Sequence, residues 1–173
     1  MIFTVGSFSA FESTYKPLQS ERVLFINGNI LDGEGNELLD TDLLIGDGKI
    51  IAVGKGISID DEDVRVIDAK NKWITPGIID IHSHMGVYPA PSIRTSSDGN
   101  EATSPVTAEV WAEHSIWVQD PQYALALKGG VTTFHILPGS ANLIGGRGVT
   151  VKNLQRNTIQ SMKFPDAKHS LKM

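Results

Sequence analysis

His82 and His84, with Asp80 two residues earlier, are the side chains of this chain whose types and spacing could do chemistry together. Residues two apart on an extended strand point the same way, so on a strand the two imidazoles converge at its C-terminal end, with Asp80 one step deeper. Two neutral imidazoles suit Zn, Fe, Mn or Ni, and a catalytic ion needs at least one further protein ligand and an open position for water. A bare His-x-His is by itself no more than a strand end with two partly exposed histidines. The neighbouring residues therefore decide the matter.

Pro76 and Gly77 punctuate the chain, and Ile78, Ile79 and Ile81 supply the β-branched run of a buried strand rather than a short helix. After that strand, residues 85–103 form a loop rich in Gly, Pro and Ser that must leave from the end carrying the histidines, where it can shape a pocket. Ser104 and Pro105 read as the start of a helix through Trp117, with Val106, Val110 and Trp117 on its core face. Asp120-Pro121 opens a second helix to Lys128, closed by Gly129-Gly130, and residues 131–137 form the next strand. Strand, helix and strand make a right-handed βαβ unit with a parallel pair. The following loop, 138–148, again lies at the C-terminal end of a strand, and its Asn142 and Arg147 offer polar groups to a substrate carbonyl or carboxylate. Residues 149–152 suggest one more short strand, and the tail to Met173 shows no clear period.

The preceding fifty residues are written as short strands and tight turns. Residues 22–26, 29–31, 42–45, 49–53 and 64–68 are the strands, with turns at Asn27-Gly28, at 32–36 and at Asp47-Gly48, and an acidic loop at 60–63. Asp-Gly readily supplies the positive φ of a hairpin turn. The domain plan is thus a tail over 1–20, a small β module over 21–72 and a distinct unit over 73–173.

The chain has 173 residues, 40% of them hydrophobic, and a formal charge of −5. No Lys/Arg stripe is present to pair with phosphates, which argues against nucleic acid as a partner. The absence of cysteine excludes disulfides, thiolate metal sites and a Cys nucleophile. No stretch of eighteen apolar residues is present to span a membrane. Met1 to Phe11 is mildly apolar but lacks a basic start, so a cytoplasmic chain with a disordered tail is the expectation and an exported form the alternative. His135 and His114 read as structural or solvent-facing, and His169 lies in the tail.

The run Pro76-Gly77-Ile78-Ile79-Asp80-Ile81-His82-Ser83-His84 resembles the P-G-h-h-D-h-H-x-H signature of the amidohydrolase superfamily. Gly129-Gly130-Val131-Thr132-Thr133 resembles the G-G-V-T-T of the family's second barrel strand, and residues 137–153 are most similar to its imidazolonepropionase-like subgroup. The resemblance implies an α/β fold: a (β/α)8 TIM-type barrel, preceded by a small β-sandwich module to which residues 21–72 contribute. It implies a metal-dependent hydrolase acting on a non-peptide carbon–nitrogen bond of a small molecule, an amide, cyclic amide or amidine. The divalent ion would be Zn, with Fe and Mn as alternatives.

In that scheme His82 and His84 are metal ligands and Asp80 supports them. A carboxylated lysine or a glutamate, two further histidines and a catalytic aspartate come from later strands, which places that aspartate beyond Met173; Lys172 is the lysine available in this chain. About a hundred residues follow the β module where a barrel takes about 250, so two or three βα units fit. An incomplete barrel has raw edges and should expose apolar surface, to be covered by further chain or by a second copy. The competing expectations are a catalytically inactive fragment or association module, and a dipeptidase of the same architecture.

Overall fold

The computed structural model describes residues 10–60 and 63–173. They fall into two compact units, one of residues 16–76 and one of 77–173 joined by the N-terminal stretch to Tyr15. The start of the Met1 to Phe11 stretch and the middle of the acidic loop lie outside the described residues. Among the described residues no helix is long and apolar enough to cross a membrane.

Unit 16–76 is a single five-stranded sheet. Its strands are β1 (Val23–Leu31), β2 (Glu37–Gly46), β3 (Lys49–Gly54), β4 (Arg65–Asp68) and β5 (Trp73–Ile74). The order is β3-β2-β1-β4, with β5 also lying along β1. β1, β2 and β3 pair antiparallel, whereas β4 and β5 run parallel to β1. Asp47 and Gly48 both take positive φ, 52° and 71°, in the turn whose twist matches its flanking strands.

Asn27-Gly28 does not turn the chain, contrary to expectation. β1 runs through it, and the left-handed Asn27 (φ 59°) is absorbed as an irregularity in the register against β2. The reason is that residues on both sides pair with the same strand. The Asn27 amide donates to Asp42 Oδ1 at 3.0 Å and its side chain to Asp68 Oδ1 at 3.1 Å, which ties the bulge to both neighbours. Leu24, Ile30, Leu43 and Leu44 are buried, while Ile50, Val66 and Trp73 are exposed.

Unit 77–173 carries β6 (Ile78–Ser83), α1 (Gln122–Lys128), β7 (Val131–Ile136), β8 (Gly146–Arg147), β9 (Val149–Lys152), α2 (Ile159–Met162) and β10 (Leu171–Lys172). β6 and β7 pair in parallel around α1, the βαβ unit read from the sequence. β9 then returns antiparallel to β7, so it is not a third parallel barrel strand. Phe134 and Ile136 of β7 anchor the core with Val87, Tyr123, Val149, Val151 and Met162. The architecture is mixed α/β, sheet-rich and short of helices.

The helix over 104–117 is replaced by an extended path with one 3₁₀ turn at Ala112–His114. Its β-prone Val106, Thr107 and Trp111 pair instead with residues 144–147, as in the Thr107 amide to Ile144 carbonyl bond of 2.8 Å. The isoleucines of β6 are not buried: Ile78, Ile79 and Ile81 are 53%, 61% and 76% exposed. β6 is the edge of its sheet, with β7 as its strand partner on one side.

The sequence's polar tail is partly held. Glu113 and Lys163 form a buried ion pair (2.6 Å), and Phe11 places its amide on Glu113 Oε1 (2.8 Å) and its carbonyl on Lys163 Nζ (2.5 Å). Ser13 Oγ adds a bond to the Lys163 carbonyl at 2.7 Å.

Candidate metal centre

His82 lies near the C-terminal end of β6, exposed, and His84 follows just beyond the strand, half-buried. Their rings meet edge to face with centroids 5.5 Å apart. His84 Nδ1 is 2.9 Å from the Leu137 carbonyl at the end of β7. A carbonyl only accepts, so Nδ1 carries the proton and Nε2 of the neutral ring keeps its lone pair. This is how ligating histidines are commonly oriented. Asp80 Oδ1 accepts the His82 backbone amide at 3.1 Å, so the carboxylate steadies the strand at His82 rather than its ring. Lys172 enters from ninety residues away: its Nζ lies 3.3 Å from His82 Nε2.

The chain after His84 is organised by Asp120, which sequence reading took only as the start of a helix. Its buried carboxylate accepts the amides of Gly86 (3.2 Å), Ala90 (3.3 Å) and Gln122 (3.0 Å) and the Gln122 side chain (2.9 Å). It therefore joins the loop leaving the histidines to the first turn of α1. Burial, with the Asp120 charge nearby, pushes the Tyr123 hydroxyl well above its ordinary pKa. The signal in the sequence was Asp before Pro; that the same carboxylate also collects two loop amides is visible only in three dimensions.

Asn142 and Arg147 form contacts within the chain. Asn142 Nδ2 donates to the Ser104 carbonyl (3.0 Å) and Thr107 Oγ1 (2.8 Å), while its Oδ1 is buried without a hydrogen-bond partner. Arg147 Nε donates to the Ala108 carbonyl at 3.0 Å, and its guanidinium lies over the Trp111 ring. These contacts fasten the 138–148 loop to the extended segment that replaces the expected helix.

His135, read as a structural histidine, sits between Thr150 Oγ1 (2.9 Å from Nδ1) and Ser170 Oγ (2.6 Å from Nε2). Burial, reinforced by the neighbouring His169 and His82, lowers its pKa. His169 Nδ1 is bonded to the Gly148 carbonyl at 2.7 Å, and the His114 ring packs against Phe11.

Among the described residues no three His, Cys, Asp or Glu side chains gather as a ready-made ion site. The donors present nevertheless fit part of one. His84 offers an oriented Nε2 lone pair, His82 is open to solvent on the same strand end, and Lys172 reaches His82. An ammonium beside an imidazole opposes a cation, so Lys172 fits such a site only in an uncharged or carboxylated form.

No family model matches the chain. Over 114 residues, 65% of its length, it is 38% identical to the amidohydrolase tasK of Hapsidospora irregularis, covering 12% of that protein. Over 117 residues, 68% of its length, it is 34% identical to a dihydroorotase of Bacillus cytotoxicus, covering 21% of it. The crystal structure of an amidohydrolase from Thermotoga maritima MSB8 superposes with a TM-score of 0.71 at 38% identity, over 83% of this chain and 37% of that one. Its relatives and structural neighbours are members of the amidohydrolase superfamily, and the chain matches the N-terminal part of them. It spans about a fifth or less of the length of these curated relatives.

Proposed function

We propose that this chain is the N-terminal part of a metal-dependent hydrolase that cleaves a non-peptide carbon–nitrogen bond in a small amide, cyclic amide or amidine. The observation that carries the reading is the meeting of His82, His84 and Lys172 at the C-terminal end of β6, the end of a parallel strand at which barrel enzymes work. The relatives named amidohydrolase and dihydroorotase support the bond class.

A divalent ion, Zn or alternatively Fe or Mn, held by His82 and His84 would lower the pKa of water towards neutrality and polarise the substrate carbonyl. The Leu137 carbonyl keeps His84 in the tautomer that presents Nε2, and Asp80 holds the backbone from which His82 projects. Lys172 answers to the lysine of the family pattern. Its neutral amine adds carbon dioxide and releases a proton, which turns a repelled ammonium into a carbamate anion beside His82. The remaining ligands and the catalytic aspartate belong to later strands of a (β/α)8 barrel, which would also cover the exposed isoleucines of β6.

The same exposed isoleucines favour a second reading, an association module without catalysis. Metal content separates the two. Chain purified from Zn-supplemented cells is expected to carry Zn2+ by elemental mass spectrometry, and His82→Ala and His84→Ala to lose it. Equal metal in all three proteins would overturn the hydrolase reading.

A further inference from the structure

We propose that His135 is a positioning residue which, through the Ser170 hydroxyl, fixes the short strand β10 so that Lys172 reaches His82. The inference rests on the reading of Lys172 and His82 as parts of one metal site.

β10 is two residues long and among the described residues pairs only with the two-residue β8, too little to define a position by itself. Two further backbone bonds hold it, from the Gly145 amide to the Lys172 carbonyl (2.9 Å) and from the Gly148 amide to the Ser170 carbonyl (3.1 Å). All of these run to residues 145–148, which the Arg147 amide holds to the Val110 carbonyl (2.7 Å), so they tie β10 to the extended segment rather than to β7. His135 supplies the link to the rigid sheet. It projects from β7, the central strand beside β6, and a neutral imidazole can bridge two hydroxyls by donating to one and accepting from the other. Thr150, on β9, fixes the far side of the ring, so His135 is anchored by two strands before it holds Ser170.

Gly148 shows that the approach is built in. A Cβ at that position would lie 2.7 Å from Ser170 Oγ and 2.9 Å from His135 Nε2, so any side chain there would push the two apart. Lys172 is two residues beyond Ser170, and therefore the His135–Ser170 bond sets where its side chain begins.

The test is amide hydrogen exchange on the metal-free chain together with Zn2+ titration. His135→Phe and Ser170→Ala are each expected to speed exchange at Gly145 and Gly148 about fivefold or more, with the core amides of β7 unchanged. Each should weaken Zn2+ binding about tenfold, and the double variant should be no worse than either single one. His135→Gln, whose amide can still bridge to a hydroxyl, should restore both.

Unchanged exchange at the two glycines, exchange raised throughout the unit, or failure of His135→Gln to restore what His135→Phe loses would each overturn the proposal. So would raised exchange with wild-type Zn2+ affinity, provided His82→Ala lowers that affinity. If His82→Ala also leaves Zn2+ binding intact, the metal reading has failed, and the exchange at Gly145 and Gly148 alone decides the role of His135.

Discussion

Lys172 Nζ stands 3.3 Å from His82 Nε2, a contact between the last strand and the first strand of the unit. As an ammonium, Lys172 donates a hydrogen bond to the very nitrogen that a metal would need. Either the lysine gives up its charge or His82 stays occupied. A carbamate resolves the conflict, because it replaces a positive group with a negative one at the same place.

Bicarbonate should therefore strengthen Zn2+ binding in the wild-type chain. Lys172→Ala is expected to abolish that dependence and to weaken binding about tenfold or more. Isothermal titration with and without bicarbonate measures it, and equal dependence in both proteins would refute the role given to Lys172.

The Glu113–Lys163 pair has its charges removed from water and closed by the Phe11 backbone. Lys163→Met strands a buried carboxylate and is expected to destabilise the chain by about 3–5 kcal/mol in urea unfolding. Replacing both partners with apolar residues of similar size should cost far less, since no charge is then left unpaired.

Asp120→Ala removes the acceptor shared by the amides of Gly86, Ala90 and Gln122. A loss of about 1–3 kcal/mol follows from leaving buried donors unsatisfied. Exchange at Gly86 and Ala90 should rise before that of the β7 amides, and unchanged protection there would count against this role.

Acid should weaken the two units in separate windows. His135 has a folded pKa below the ordinary 6.5, so its unfolded form takes up the proton first, and stability falls as pH drops below about 6.5. The Asn27 amide holds the Asp42 carboxylate below its ordinary 3.8. That contribution is present above 3.8 and is lost as pH falls through the lower folded value. Thermal unfolding against pH should show the upper window vanish in His135→Gln and the lower one shrink in Asp42→Asn, with Asp32 and Asp68, also held below their ordinary value, supplying the rest of it.

Where a feature depends on neighbours in the chain, the residues themselves announced it. The two-residue spacing of His82 and His84 with Asp80 placed three polar groups at one strand end. Asp47-Gly48 demanded a hairpin, and Asp120-Pro121 with Gly129-Gly130 bounded α1, because the φ values and missing donors of these residues act over one turn. The resemblance of residues 76–84 to the amidohydrolase signature was likewise local.

Tertiary structure decided what local signals left open. Asn27-Gly28 has the composition of a turn and became a bulge, because β2 pairs on both sides of it. Residues 104–117 have the start of a helix and became an extended arm, because residues 144–147 offered backbone partners. The isoleucines of β6 read as core and stand exposed, since burial depends on what lies against a strand rather than on what it contains. Lys172 sits in a tail with no periodic signal, yet it reaches His82 through β10, β8 and Ser170. Such a contact depends on chain closure over ninety residues, and no spacing in the sequence encodes it.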